Sequence, residues 1–186
     1  MDRMWQVFVL LAVIAAAGAC GDDGGSGDGG SLSATDWTHE VCQVQSDFET
    51  AITNAVTEEQ AAIAAAGADL EAQKQAVITL LDVTLTETDA ATERIDELGP
   101  PDADGADAAL EAATDRFAAV RGILADARTQ AEALPTGDPA AFTAASETIA
   151  ASIGTGFQGL ASSFPDVGSS EELRDALAAE PLCGGG

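Results

Sequence analysis

From Leu110 to Leu134 the apolar residues keep steps of three and four: Leu110, Ala113, Phe117, Val120, Leu124, Ala127, Ala131 and Leu134. A strand turns its side chains over every two residues, so this seam belongs to an α-helix. Proline brackets it. Gly99, Pro100 and Pro101 stop what comes before, and Pro135 stops the helix itself. A glycine can end a helix in a left-handed turn, and a proline cannot continue one. Asp138 then sits where a cap belongs, with Pro139 at the first helical position.

The same pattern extends both ways along the chain. Trp37, Val41, Val44, Phe48, Ala51 or Ile52, and Ala55 form one stripe, so a first helix is expected from about Thr35 or Asp36. It either continues through the alanine-rich stretch to Gly67 or breaks where Thr57 and Gln60 cap a separate short helix. A second helix is expected over 69–98, with Leu70, Val77, Leu81, Ile95 and Leu98 as its stripe and Leu80 and Leu85 beside it. Phe142, Ile149, Ile153, Phe157, Leu160 and Phe164 make the inner face of a fourth helix ended by Pro165. A short fifth follows Ser169, with Glu172 as capping partner and Leu173 and Leu177 as contacts. The chain holds 40 alanines and no tyrosine, so alanine, leucine, valine and isoleucine must fill the core. Alanine is also the best helix former.

Charge narrows the function. Thirty-two acidic side chains face 7 basic ones, for a net charge of −25. Seven scattered cations cannot build a basic patch, which excludes nucleic acid as a partner. A single histidine cannot supply a multi-histidine metal site. The acids are expected on the outer helix faces, where they give solubility and a diffuse attraction for cations.

The N-terminus has its own logic. Arg3, offset by Asp2, precedes an unbroken apolar run over 7–17, then Gly18, Ala19 and Cys20. The run has the length of a signal-peptide core and is short for a membrane span. Next comes GDDGGSGDGG at 21–30, which holds no side chain able to enter a core. About 15 such residues span roughly 20 Å, enough to hold a domain clear of lipid headgroups.

Ala17, Gly18, Ala19 and Cys20 resemble the lipobox of bacterial lipoproteins, although Ala17 stands where leucine is commonest. The resemblance implies transfer of a diacylglycerol to the Cys20 sulfur and cleavage just before that residue, with palmitate among the acyl chains carried. Two acyl chains meet the requirement for stable anchoring. Ordinary cleavage and free secretion is the alternative. With Cys20 assigned, Cys42 and Cys183 remain. An exported chain meets an oxidising space, so a disulfide between them is the default and two separate thiols the alternative.

The body also resembles a loose group of small exported actinobacterial lipoproteins. The likeness rests on the acidic tether, on Trp37 and Cys42 in the first helix, on the Gly99-Pro100 stop and on the Pro181-x-Cys183 ending. It implies a helical body of unassigned function.

Three further motifs bear on chemistry. Gly154, Gly156 and Gly159 match G-x-G-x-x-G, yet no strand precedes them, so close helix packing is the expectation. Asp102, Asp104 and Glu111 overlay part of a calcium loop, but Pro100 takes the place of the first ligand. An acidic first turn explains the same residues. His39 is expected at the surface, near Glu40 or Asp36, and no serine has nucleophile-elbow spacing around it.

The expected organisation is therefore a signal peptide (1–19), a lipidated Cys20 with a Gly/Asp-rich tether (20–35), a helical domain (36–183) and a glycine tail (184–186). The fold expected is all-α: an antiparallel four-helix bundle with a short fifth helix, its ends clasped by the disulfide. The expected role is a non-enzymatic binding or structural module without a cofactor, held on the outer face of the cytoplasmic membrane and facing an unknown envelope partner. A small-ligand or divalent-cation binder is the second expectation.

Overall fold

The computed structural model describes residues 31–163 and 170–183. The expected signal segment, Cys20, most of the tether, Phe164, Pro165, Ser169 and the glycine tail lie outside the described residues, as does the Leu160 side chain. The described chain forms α1 (Ala34–Ala66), α2 (Leu70–Leu98), α3 (Ala106–Glu132), α4 (Pro139–Ser163) and α5 (Glu171–Ala179).

Local chemistry sets each start. Ser33 caps α1: its hydroxyl accepts from the Asp36 backbone N–H at 3.2 Å and donates to the Asp36 carboxylate at 2.6 Å. The helix thus begins one residue before the expected Thr35, because the serine supplies the acceptor that the first turn lacks. Asp69 caps α2 through the N–H groups of Glu71 and Ala72. Asp138 caps α4 through Ala140, as expected. The cap of α5 is Ser170, which accepts from Leu173 N–H, so the expected Ser169–Glu172 box is displaced by one residue.

α1 does not break at Thr57. That hydroxyl donates back to the Thr53 carbonyl at 2.9 Å, so it sits inside a continuous helix rather than capping a new one. Gly67 (φ 58°) and Gly99 (φ 65°) end α1 and α2 in the left-handed region that other residues avoid.

Successive helices pack in order, α1 on α2, α2 on α3 and α3 on α4, while α5 returns to α1. Cross-helix pairs tie α1 to α2 and α2 to α3, and the order of the two pairs on α3 shows that α2 and α3 run antiparallel. Arg94 on α2 meets Asp47 on α1 at 2.8 Å, Arg121 on α3 meets Asp89 on α2 at 2.6 Å, and Arg128 on α3 meets Asp82 on α2.

Two apolar clusters result. At one end Trp37 and Val44 of α1, Ile95 of α2, Phe117 of α3 and Leu173 of α5 pack together. At the other, Leu81 of α2 and the α3 seam from Val120 to Leu134 pack on Phe142 and Ile149 of α4. Phe48 touches both clusters, and its ring meets Phe117 edge-on with centroids 5.5 Å apart. The expected α3 seam is buried from Ala113 to Leu134; at its start Ala109 takes the place of the half-buried Leu110.

The buried face of α2 differs from the expected leucine stripe. Between Leu81 and Ile95 it is carried by Thr84, Thr88 and Ala91. Both threonine hydroxyls donate to the carbonyl four residues back, at 2.8 and 2.7 Å, so they enter the core with their protons already engaged.

Candidate functional site

The first feature is the closure of the body on itself. Cys42 and Cys183 form a disulfide across 141 residues, with their Cα atoms 5.3 Å apart. Cys42 is fully buried on α1. Five residues earlier on the helix, Trp37 is also fully buried, and its indole N–H donates to the Gly99 carbonyl at 2.8 Å. The buried ring thus keeps its one donor satisfied while tying the start of α1 to the end of α2.

His39 lies on the exposed side of the same turn. Its partner is Glu180 rather than the expected Glu40 or Asp36: Nδ1 stands 3.1 Å from the Glu180 carboxylate. The other carboxylate oxygen of Glu180 accepts from the Leu182 N–H at 3.0 Å. Glu180 therefore orders the segment that delivers Cys183, and His39 holds Glu180 to α1. Helical spacing on α1 places His39 and Cys42 one turn apart, but a partner 141 residues away left no local signal.

The Asp102 loop also has a structural use. Residues 32–33 run beside it in a short parallel pairing, and Asp102 N–H donates to the Leu32 carbonyl at 2.7 Å. Asp102, Asp104 and Glu111 keep exposed side chains. Gly105 caps α3 with φ 75°. Among the described residues, no group of three or more His, Cys, Asp or Glu is placed to hold a metal ion.

The glycine motif lies within α4. A Cβ on Gly156 would come 2.8 Å from Ile123 of α3, whereas one on Gly154 would meet nothing within 4 Å. Close helix approach is therefore the work of one glycine of the three.

A site that the sequence reading missed lies between the second half of α1 and the middle of α2. It is a groove of about 260 Å³. Ala55, Glu58, Glu59 and Ala62 form one wall, and Ala76, Thr79, Leu80 and Val83 the other. Glu59 is only 5% exposed, and its Oε1 makes no hydrogen bond. Burial pushes its carboxyl up to about 7, because the charged form loses hydration and no cation replaces it. A signal existed: Ile52, Ala55 and Glu59 keep the three-four spacing, so the acid falls on the apolar stripe.

The chain was compared with family models, with curated proteins and with solved structures, and no match was found in any of the three. Among the described residues, no helix is long and apolar enough to cross a membrane. The described residues form a small all-helical body of five helices with a disulfide joining its ends.

Proposed function

We propose that this chain is an exported, lipid-anchored helical protein of the cell envelope that acts as a non-enzymatic binding or structural module. The observation that carries the reading is the Cys42–Cys183 disulfide. Stable disulfides belong to oxidising spaces outside the cytoplasm. The bond also uses two of the three cysteines and leaves Cys20 alone, next to the small residues that resemble a lipobox. An anchor at Cys20 would hold the body outside the cytoplasmic membrane on its acidic tether. A surface of net charge −25 would keep it away from anionic lipid and wall phosphates.

The test is metabolic labelling of the full chain with radioactive palmitate. Label is expected in the wild type and absent in Cys20→Ser, which should appear in the medium. Label that persists in Cys20→Ser overturns the anchor. A wild type that is cleaved and released unlabelled supports free secretion instead.

A small-ligand role is the second reading, favoured by the groove around Glu59. Its divalent-cation version, a diffuse attraction to the acidic faces rather than a built site at Asp102, Asp104 and Glu111, is tested by calorimetric titration with calcium. Absence of saturable heat removes that version.

A further inference from the structure

The groove between α1 and α2 has a one-sided chemistry. Every polar side chain that lines it accepts hydrogen bonds. Glu58 and Glu59 bring carboxylates. Thr79, the one polar residue on the α2 wall, donates its proton to the Gln75 carbonyl at 2.9 Å, so its oxygen offers only lone pairs to the groove. The rest of the lining is alanine, Leu80 and Val83, and Val83 is the exposed large hydrophobic of the described body.

A buried acceptor without a donor is costly, and more so when charged. Glu59 Oε1 is such an acceptor, buried without a partner in the wall of a groove that offers no donor in its lining. An occupant that relieves it must bring N–H or O–H groups. The second carboxylate and the charge of −25 favour a cation over a neutral donor and repel an anion. A bare metal ion fits poorly, because it needs about six oxygens and the lining offers only two carboxylates and the Thr79 hydroxyl among alanine, leucine and valine. An ammonium group needs only one close carboxylate, and an attached hydrocarbon can cover Leu80 and Val83.

We propose that this groove binds a protonated primary amine carrying a small apolar body, with the Glu59 carboxylate as its counter-ion. The amine head sits at Glu59 and its hydrocarbon lies along Leu80 and Val83. The proposal supplies a ligand class for the binding-module reading. It is independent of the anchor, so failure of the labelling test leaves it standing, and its own failure leaves the anchor untouched.

The experiment is calorimetric titration of the full chain at pH 8 with n-hexylammonium, n-hexanol and hexanoate. Saturable binding is expected for the amine alone. Glu59→Gln should weaken it at least about tenfold, the loss expected for one charged hydrogen bond, while Glu58→Gln changes it far less. Near pH 7, binding should release a proton, seen as heats that vary with the buffer's ionisation enthalpy. Ala62→Phe, at an exposed position on the groove wall, should block binding with Glu59 intact, and circular dichroism checks that each variant is folded. Hexanol binding as tightly as the amine overturns the proposal. So does amine binding unchanged in a folded Glu59→Gln or Ala62→Phe, or the absence of saturable heat.

Discussion

The two ends of this molecule are held together by different means. At the disulfide end α1, α2, α3 and α5 surround Trp37, Ile95 and Leu173, which are all fully buried. A covalent bond, an indole hydrogen bond and the His39–Glu180 pair reinforce the same place. At the opposite end the core is the α3 seam packed on α2 and α4, and α1 adds only Phe48 to it. The far half of α1 lies on α2 through alanine and a buried acid. The comparison teaches that cohesion here is graded along the bundle axis. Large buried side chains lie at both ends; the crosslink reinforces one, while the far half of α1 carries an unsatisfied carboxylate at the other.

The largest test of this contrast is the crosslink. For 141 residues the chain-entropy model gives about 5 kcal/mol as an upper figure. The double variant Cys42→Ala, Cys183→Ala should lower the urea midpoint accordingly. Amide exchange should then speed up most in α1 and α5, at the clasped end. Faster exchange confined to α4 would break the comparison.

Phe117→Ala comes next. It empties a buried site where Phe48 joins the two clusters, and such truncations cost about 3–5 kcal/mol. The chemical-denaturation curve should lose cooperativity as the far end unfolds first, which fluorescence of Trp37 and far-ultraviolet dichroism will report as separate transitions. Coincident transitions would show that the ends remain coupled without the ring contact.

Glu59 gives the third. Its carboxyl titrates at about 7 in the folded chain and near its ordinary value when unfolded. The folded state therefore binds the proton more tightly. Stability is greatest below the unfolded value, falls as pH rises through about 7, and levels off above it. The loss amounts to up to about 3 kcal/mol. Glu59→Leu should flatten this dependence and raise the melting temperature at pH 8. An unchanged pH profile in that variant would place the titration elsewhere.

The smallest effects separate the glycines. Gly154→Ala and Gly122→Ala meet open space, so each should stabilise its helix by about 0.5–1 kcal/mol. Gly156→Ala should destabilise instead, because Ile123 would have to move. Thermal melts of the three variants give the signs directly.

The α3 seam was readable in advance because one strict period leaves one face to bury. The disulfide pairing was readable by counting cysteines. The length of α1 stayed open because a threonine hydroxyl caps a new helix or bonds back within an old one with the same residues. Thr57 bonds back, as do Thr84 and Thr88, and that is also how polar residues came to occupy the core of α2. Glu59 was lost among thirty-two acids. Its burial depends on where α2 lies against α1, which no local pattern states. The Glu180 partner of His39 was hidden for the same reason. Cys20 is a different case, since its expected role concerns acylation chemistry rather than the packing of the body.

The clasp has a mechanical consequence. A pull applied ahead of Ser33 and beyond Cys183 travels along the start of α1, crosses the sulfur–sulfur bond and leaves. Everything between the two cysteines lies outside that load path. Tension on the chain can fray the first turns of α1 and strip Leu32 from Asp102, but it cannot draw out α2, α3 or α4. Reduced, the same protein would lengthen helix by helix under the same force. The covalent link therefore decides whether the molecule behaves as a short stiff strap or as an extensible cord.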